Sequence, residues 1–368
     1  MSTQQTNTLT NDDIDGLGEQ DESGWGDYPI DTLLIRTETR TAFDVVRRIE
    51  QGSFVMDPDF QRDFIWPEDK QSKLIESVLM RIPLPVFYLA EDERGRMIVV
   101  DGLQRLSTFQ RFFGNHLRLK LPGQPGLHKK RFNELSQKFQ NRVEDCNLAL
   151  YIIDAKVPER ARLDIFERVN GGAPLTRQQM RNCLYMGQAT RFLKEEAATN
   201  PFLLATGRSL PTTTMRDREF VNRYCAFQLL TLDQYKGEMD EFLAAALMQM
   251  NKFSTEELAK LSADFGASMN NNYTIFGKHA FRKHAEGQQD RSVLNASLWD
   301  VMSTGLSRIP EHAIKEHADE LRAAFFTLMR DTAFIDSITY SPNSTNKVKY
   351  RFEVARRMFQ EVFGANAT

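Results

Sequence analysis

Apolar residues set the first recognisable elements. Phe43, Val45, Val46 and Ile49 recur at helical spacing, with Thr41 placed to cap that helix and Gly52 to stop it. A short strand is expected near residues 53–56. Pro67, followed by Glu68 and Asp69, predicts a second helix carrying Leu74, Ile75, Val78 and Leu79, which Pro83 and Pro85 prevent from continuing. Residues 86–90 and 97–100 read as two strands joined by a turn, hence a hairpin. Leu106, Phe109, Phe112 and Phe113 give a helical face directly after it, and residues 148–153 read as a further strand. From residue 158 onward strand signals nearly vanish and helical spacing dominates. The pattern predicts an α+β fold, a small mixed sheet with helices over residues 29–157, followed by a mostly α-helical half over residues 158–368. Residues 1–28 are polar and acidic and are expected to form a disordered leader.

Charge adds an asymmetry that the net value of −3 conceals. Residues 1–35 hold eight acids and no Lys or Arg, whereas residues 111–142 hold eight bases and a single acid, Glu134. Such segregation fits an acidic tail and a basic patch, and equally a leader and a solvated loop. No apolar run approaches the roughly 20 residues that span a bilayer, and no secretory signal opens the chain. Cys146, Cys183 and Cys225 are widely spaced, fitting neither a disulfide framework nor a zinc site. The expectation is a cytoplasmic protein without a membrane partner.

The sharpest candidate for chemistry is the stretch from Val99 to Arg105, where a strand runs through Asp101 and Gly102 into a helix. A helix N-terminus presents unpaired N–H groups and partial positive charge, so it suits an anion. Gly102 lets the backbone turn and approach a ligand, Arg105 is placed to grip a phosphate, and Asp101 to hold Mg²⁺ or orient water. The same residues also make an ordinary turn, with Asp101 as a cap. Two more stretches share this ambiguity. Gln61 and Arg62 lie between aromatic Phe60, Phe64 and Trp66, and Asn170 lies at a glycine corner after which Thr176 opens a helix carrying Arg181 and Asn182.

Taken in order, Pro-Asp-Phe-Gln-Arg at 58–62, Trp66, Leu-Ile-Glu-Ser at 74–77, Ile-Pro-Leu-Pro at 82–85, Asp-Gly-Leu-Gln-Arg at 101–105, Asn-Gly-Gly at 170–172, Leu175-Thr176 and Arg181-Asn182 are specific. They resemble a family in the ParB/sulfiredoxin superfamily, the N-terminal domain of GmrSD-type modification-dependent restriction enzymes and related phage-defence proteins. The resemblance implies a ParB-like domain whose Asp-Gly-Gln-Gln-Arg loop binds, and in some members hydrolyses, a nucleoside triphosphate. By position Asp101, Gln104 and Arg105 would be its catalytic residues and Gly102 part of its phosphate cradle. Gln61, Arg62 and Asn170 would face the loop, and Asp101 would be the Mg²⁺ ligand. DNA and a partner protein of a defence system are the further partners it implies. Leu103 stands where the family usually has Gln, and Gln179 where a Glu often occurs, and both departures weigh against hydrolysis more than against binding.

A separate nuclease centre finds no support in the sequence. His279 and His284 are five apart, as are His312 and His317, so neither pair shares a helical face, and all four are expected to be solvated. Lys129, Lys130 and Arg131, together with Lys347 and Lys349 in the tail, are candidate nucleic-acid contacts. The alternative for the tail is a polar loop opening the last helix. The expected function is a nucleotide-binding switch or weak NTPase of a defence system, with a non-catalytic DNA-binding adaptor as the alternative and a DNA nuclease as the remotest reading.

Overall fold

A computed structural model describes residues 14–17, 35–56, 66–92, 94–169 and 176–364. The chain divides into two compact units, Trp25–Leu184 and Tyr185–Thr368, the latter together with Met1–Gly24.

The first unit is built on a five-stranded mixed sheet with strands β1 (Ile35–Thr41), β2 (Phe54–Val55), β3 (Phe87–Glu91), β4 (Met97–Asp101) and β5 (Asn147–Ile153), ordered β1-β5-β3-β4-β2. The predicted hairpin is β3–β4, antiparallel, while β5 runs parallel to β3 and β2 parallel to β4. β1 was not predicted. It alternates Thr with Arg36, Glu38 and Arg40 and carries almost no apolar signal. Its charges instead pair with one another and with Glu91, as in the 2.6 Å Arg36–Glu91 bridge. Helices α1 (Ala42–Glu50), α2 (Glu68–Leu79), α3 (Leu103–Phe113) and α4 (Gln137–Glu144) close a core with Phe87, Leu89, Val99, Leu148, Leu150 and Ile152. Thr41 caps α1 as expected, its hydroxyl accepting from Asp44 N–H at 3.2 Å.

Helices α5 (Glu159–Val169) and α6 (Arg177–Leu184) pack on β4. The first unit therefore ends at Leu184 rather than at 157, because these two helices cover β4, whose Ile98, Val99 and Val100 are all buried. Thr176 and Gln179 form a reciprocal capping box at the start of α6, Thr176 N–H donating to Gln179 Oε1 at 2.7 Å and Gln179 N–H to Thr176 Oγ1 at 3.2 Å. Glutamine fills that role as well as glutamate does.

The second unit is helical: α7 (Gln188–Ala197), α8 (Asn200–Thr206), α9 (Arg216–Leu229), α10 (Met239–Met250), α11 (Thr255–Phe276), α12 (Ala296–Gly305), α13 (Glu311–Glu316), α14 (Ala318–Leu328), α15 (Thr332–Thr339) and α16 (Thr345–Phe363). Trp299 sits fully buried at its centre among Phe202, Phe220, Phe265 and Phe281, its indole N–H donating to the Phe220 carbonyl at 2.8 Å. Beside it Asp300 accepts two bonds from Arg223, at 2.8 and 2.6 Å, and one from Arg351 at 2.9 Å, all three side chains being inaccessible to solvent.

Residues 14–17, expected within a disordered leader, belong to this unit. Asp15 N–H donates to the Leu294 carbonyl at 2.9 Å, and its own carbonyl accepts from Ala296 N–H at 2.8 Å. Its carboxylate meets Lys283 at 2.5 Å, and the Leu17 carbonyl accepts from Asn343 at 2.7 Å. Backbone pairing with α12 and the preceding residues compensates for the weak apolar content of this stretch. No helix among the described residues is long and apolar enough to cross a membrane.

Candidate functional site

The loop at 101–105 owes its shape to β4 and α3. A bulge shifts the β3–β4 register between Tyr88 and Leu89, so that Tyr88 faces Asp101 while Leu89 faces Val99. The extra residue, Val100, directly precedes Asp101, and such bulges re-aim the side chains that follow them. Gly102 then adopts φ 99°, a left-handed conformation, and no side chain caps α3. A Cβ at this position would collide with the Phe87 ring. Glycine is thus required twice, by the backbone angle and by the ring.

Arg105 is almost wholly buried and lies over the Phe87 ring, its guanidinium carbon 4.2 Å from the ring centre. Its Nη2 donates to Asp101 Oδ2 at 2.6 Å and to the Val86 carbonyl at 3.1 Å, and its Nη1 donates to the Pro85 carbonyl. Burial lowers its pKa, opposed by the Asp101 carboxylate. A guanidinium so engaged orders the loop, and its Nη2 donors are not available for a bidentate phosphate grip. Gln104 is similarly committed, its Oε1 accepting from Trp66 N–H at 2.9 Å. Leu103, the departure from the family pattern, packs against the apolar core.

These bonds tie the motif stretches to one another. Gln104 fixes the chain at Trp66, the end of the 58–66 stretch. Arg105 fixes it at Pro85, the end of the Ile-Pro-Leu-Pro stretch. Gln71, which the sequence reading did not single out, extends the linkage by donating to the Trp66 carbonyl at 2.5 Å and accepting from Arg111 at 2.9 Å. Phe87 was missed as well. It reads as one more apolar strand residue, and only the contact with Gly102 and Arg105 distinguishes it. Gln61, Arg62 and Asn170 lie outside the described residues. Asp101 remains one-third exposed with its second oxygen uncommitted to Arg105. Among the described residues no group of three or more His, Cys, Asp or Glu side chains could hold a metal. Asp101 fits Mg²⁺ only as a single ligand beside phosphate oxygens, the way this ion is commonly bound.

Two other candidate regions resolve differently. Lys347 pairs with Asp336 at 2.8 Å and Lys349 with Asp233 at 2.8 Å, at the start of α16. The tail is therefore the opening of the last helix with its cations neutralised, and Arg351 is buried on Asp300. In the first unit, by contrast, Lys129 and Arg131 are exposed and line an open cleft of 980 Å³ with His116, Arg118, Lys120 and His128.

His279 and His284 are half-buried rather than fully solvated. Their rings stack at 4.8 Å, His284 packs on Phe325 at 5.1 Å, and His284 Nδ1 donates to the Arg282 carbonyl at 2.9 Å. Burial lowers both pKa values, and for His279 the charges of His284, Lys278 and Arg282 add to the effect. A histidine whose folded pKa is depressed binds more protons when unfolded, so stability is lost as pH falls through the ordinary value of about 6.5. We expect the denaturation midpoint of the chain to fall between pH 7.5 and 5.5, and His284→Phe to reduce that fall. A pH dependence of the midpoint left unchanged in His284→Phe would contradict the assignment.

A mixed sheet that delivers an Asp-Gly-x-Gln-Arg loop to the start of a helix defines an α+β domain consistent with the ParB-like superfamily. Residues 42–186 match the GmrSD restriction endonuclease, N-terminal domain. The similarity to that family covers this segment, most of the sheet unit with its two covering helices. Comparison with curated proteins finds no match.

Proposed function

We propose that the chain serves in a restriction or phage-defence system of the GmrSD type, and that its 101–105 loop binds the phosphates of a nucleoside triphosphate. The observation that carries this reading is the uncapped start of α3, opened by left-handed Gly102 and held in place by the Arg105–Asp101 pair. First-turn N–H groups of α3 would meet the phosphate oxygens. Asp101 would offer its uncommitted oxygen to a phosphate-bound Mg²⁺. Gln61, Arg62 and Asn170 would complete the site as the family resemblance implies, with Arg62 supplying the charge that Arg105 directs inward. Binding is better supported than turnover, since Gln104 and Arg105 are engaged in holding the loop.

The test is thermal melting with ATP, GTP, CTP or UTP and Mg²⁺. At about a hundredfold excess over Kd, one nucleotide should raise the Tm by roughly 5–10 °C. No rise with any of the four would sink the reading. Phosphate release that disappears in Asp101→Asn while the Tm rise persists would place turnover on Asp101.

A further inference from the structure

We propose that the cleft lined by His116, Arg118, Lys120, His128, Lys129 and Arg131 binds the phosphodiester backbone of a nucleic acid. One extended segment, residues 116–121, and the end of a turn at Lys129, where φ is 62°, form its wall. Leu119 N–H donates to the Lys130 carbonyl at 3.0 Å, and Lys129 N–H to the Leu119 carbonyl at 2.7 Å. Along the extended segment Leu117, Leu119 and Leu121 are buried while His116, Arg118 and Lys120 are exposed. At the end of the turn, Lys129 and Arg131 are exposed on either side of Lys130. On the extended segment this alternation places Arg118 and Lys120 about 6.6 Å apart on one face, and the turn brings Lys129 and Arg131 alongside. Like charges spread along one cleft wall suit a polymer with a repeating charge better than one compact anion.

The wall is also held in place before any ligand arrives. Lys120 N–H donates to Ser72 Oγ at 2.8 Å, and Arg118 reaches the Lys129 carbonyl at 3.4 Å. Leu121 N–H donates to His128 Nδ1 at 3.2 Å, which puts that ring's proton on Nε2 as a donor. Lys120 pairs with Glu68 at 2.8 Å, and among the described residues no acid pairs with Arg118, Lys129 or Arg131. Four cations therefore outnumber the acids beside them: Glu68 pairs with Lys120, Asp69 acts on it, and Glu134 accepts the Arg131 backbone N–H at 2.7 Å. None of these residues belongs to the 101–105 loop, so this site stands independently of the nucleotide reading.

Fluorescence anisotropy of the full chain with labelled DNA of arbitrary sequence, as a duplex and as a single strand, tests the proposal in the absence of nucleotide. Binding to at least one form should weaken steeply with salt. Arg118→Gln/Lys129→Gln/Arg131→Gln should reduce affinity by about tenfold or more and flatten the log–log salt slope by about 2 to 3. Lys347→Gln/Lys349→Gln should leave binding unchanged. The Tm of the triple variant checks its folding, and the single variants Arg118→Gln and Arg131→Gln give the same direction if it is unstable. Any Tm rise with nucleoside triphosphate should survive in the triple variant. Absence of binding to both DNA forms, or cleft variants that bind like the unmodified protein, would overturn the proposal. So would competition by inorganic tripolyphosphate as effective as that by DNA at equal phosphate.

Discussion

Asp300→Ala is expected to lower the Tm by about 10 °C or more, reflecting roughly 3–5 kcal/mol lost when a buried charge pair is broken. Asp300 is the carboxylate shared by Arg223 and Arg351, and no solvent reaches any of the three. Without it two guanidinium groups face each other in a closed interior, joined to α9 and α16 and unable to move out. Arg351→Met should have a much smaller effect. It removes a cation whose desolvation was unfavourable and leaves the bidentate Arg223–Asp300 pair intact, so we expect a change of about 1–2 kcal/mol. Thermal melting of the two variants side by side is decisive. Equal losses would mean that packing volume, not charge, governs this centre.

Gly102→Ala is expected to cost about 2–5 kcal/mol and to abolish any stabilisation by nucleotide. The left-handed backbone accounts for about 1–2 kcal/mol and overpacking against Phe87 for about 1–3 kcal/mol. The methyl group cannot be accommodated by a small shift, because the Phe87 ring that blocks it also supports the Arg105 guanidinium. Displacing the ring therefore loosens the Asp101–Arg105 pair. Gly123→Ala provides the control, since a Cβ there meets nothing within 4 Å. If Gly102→Ala melts with the unmodified protein and retains a nucleotide response, the loop does not have the role assigned to it.

Much of the fold was legible because its signals are local. Thr41 before an apolar face, Pro67 before two acids, and the β3–β4 hairpin each declare themselves within a few residues. β1 escaped because its stability comes from β5 and from ion pairs, not from an apolar stripe. The extent of the sheet unit escaped for a related reason. A periodic pattern shows that α5 and α6 are helices, but not that they cover β4. The strand-to-helix loop at 101–105 was legible in the sequence, and the partners of its side chains were not. Arg105 reads as a phosphate ligand until its acceptors are known, and those lie twenty residues away at Pro85 and Val86. The reverse happened in the tail, where Lys347 and Lys349 look unopposed until Asp336 and Asp233 are brought beside them. His284 looks solvated until Phe276 and Phe325 pack on it and His279 stacks against it.

The docking of residues 14–17 has a consequence for how the chain folds as it is made. Leu17 bonds to Asn343, 326 residues later. At about 5–20 residues per second, that partner is synthesised roughly 16–65 s after Leu17 itself. The sheet unit, complete at Leu184, has its whole sequence in hand long before then. Residues 14–17 therefore take their place only after the sequence of the sheet unit is complete, when the stretch around Asn343 has been made.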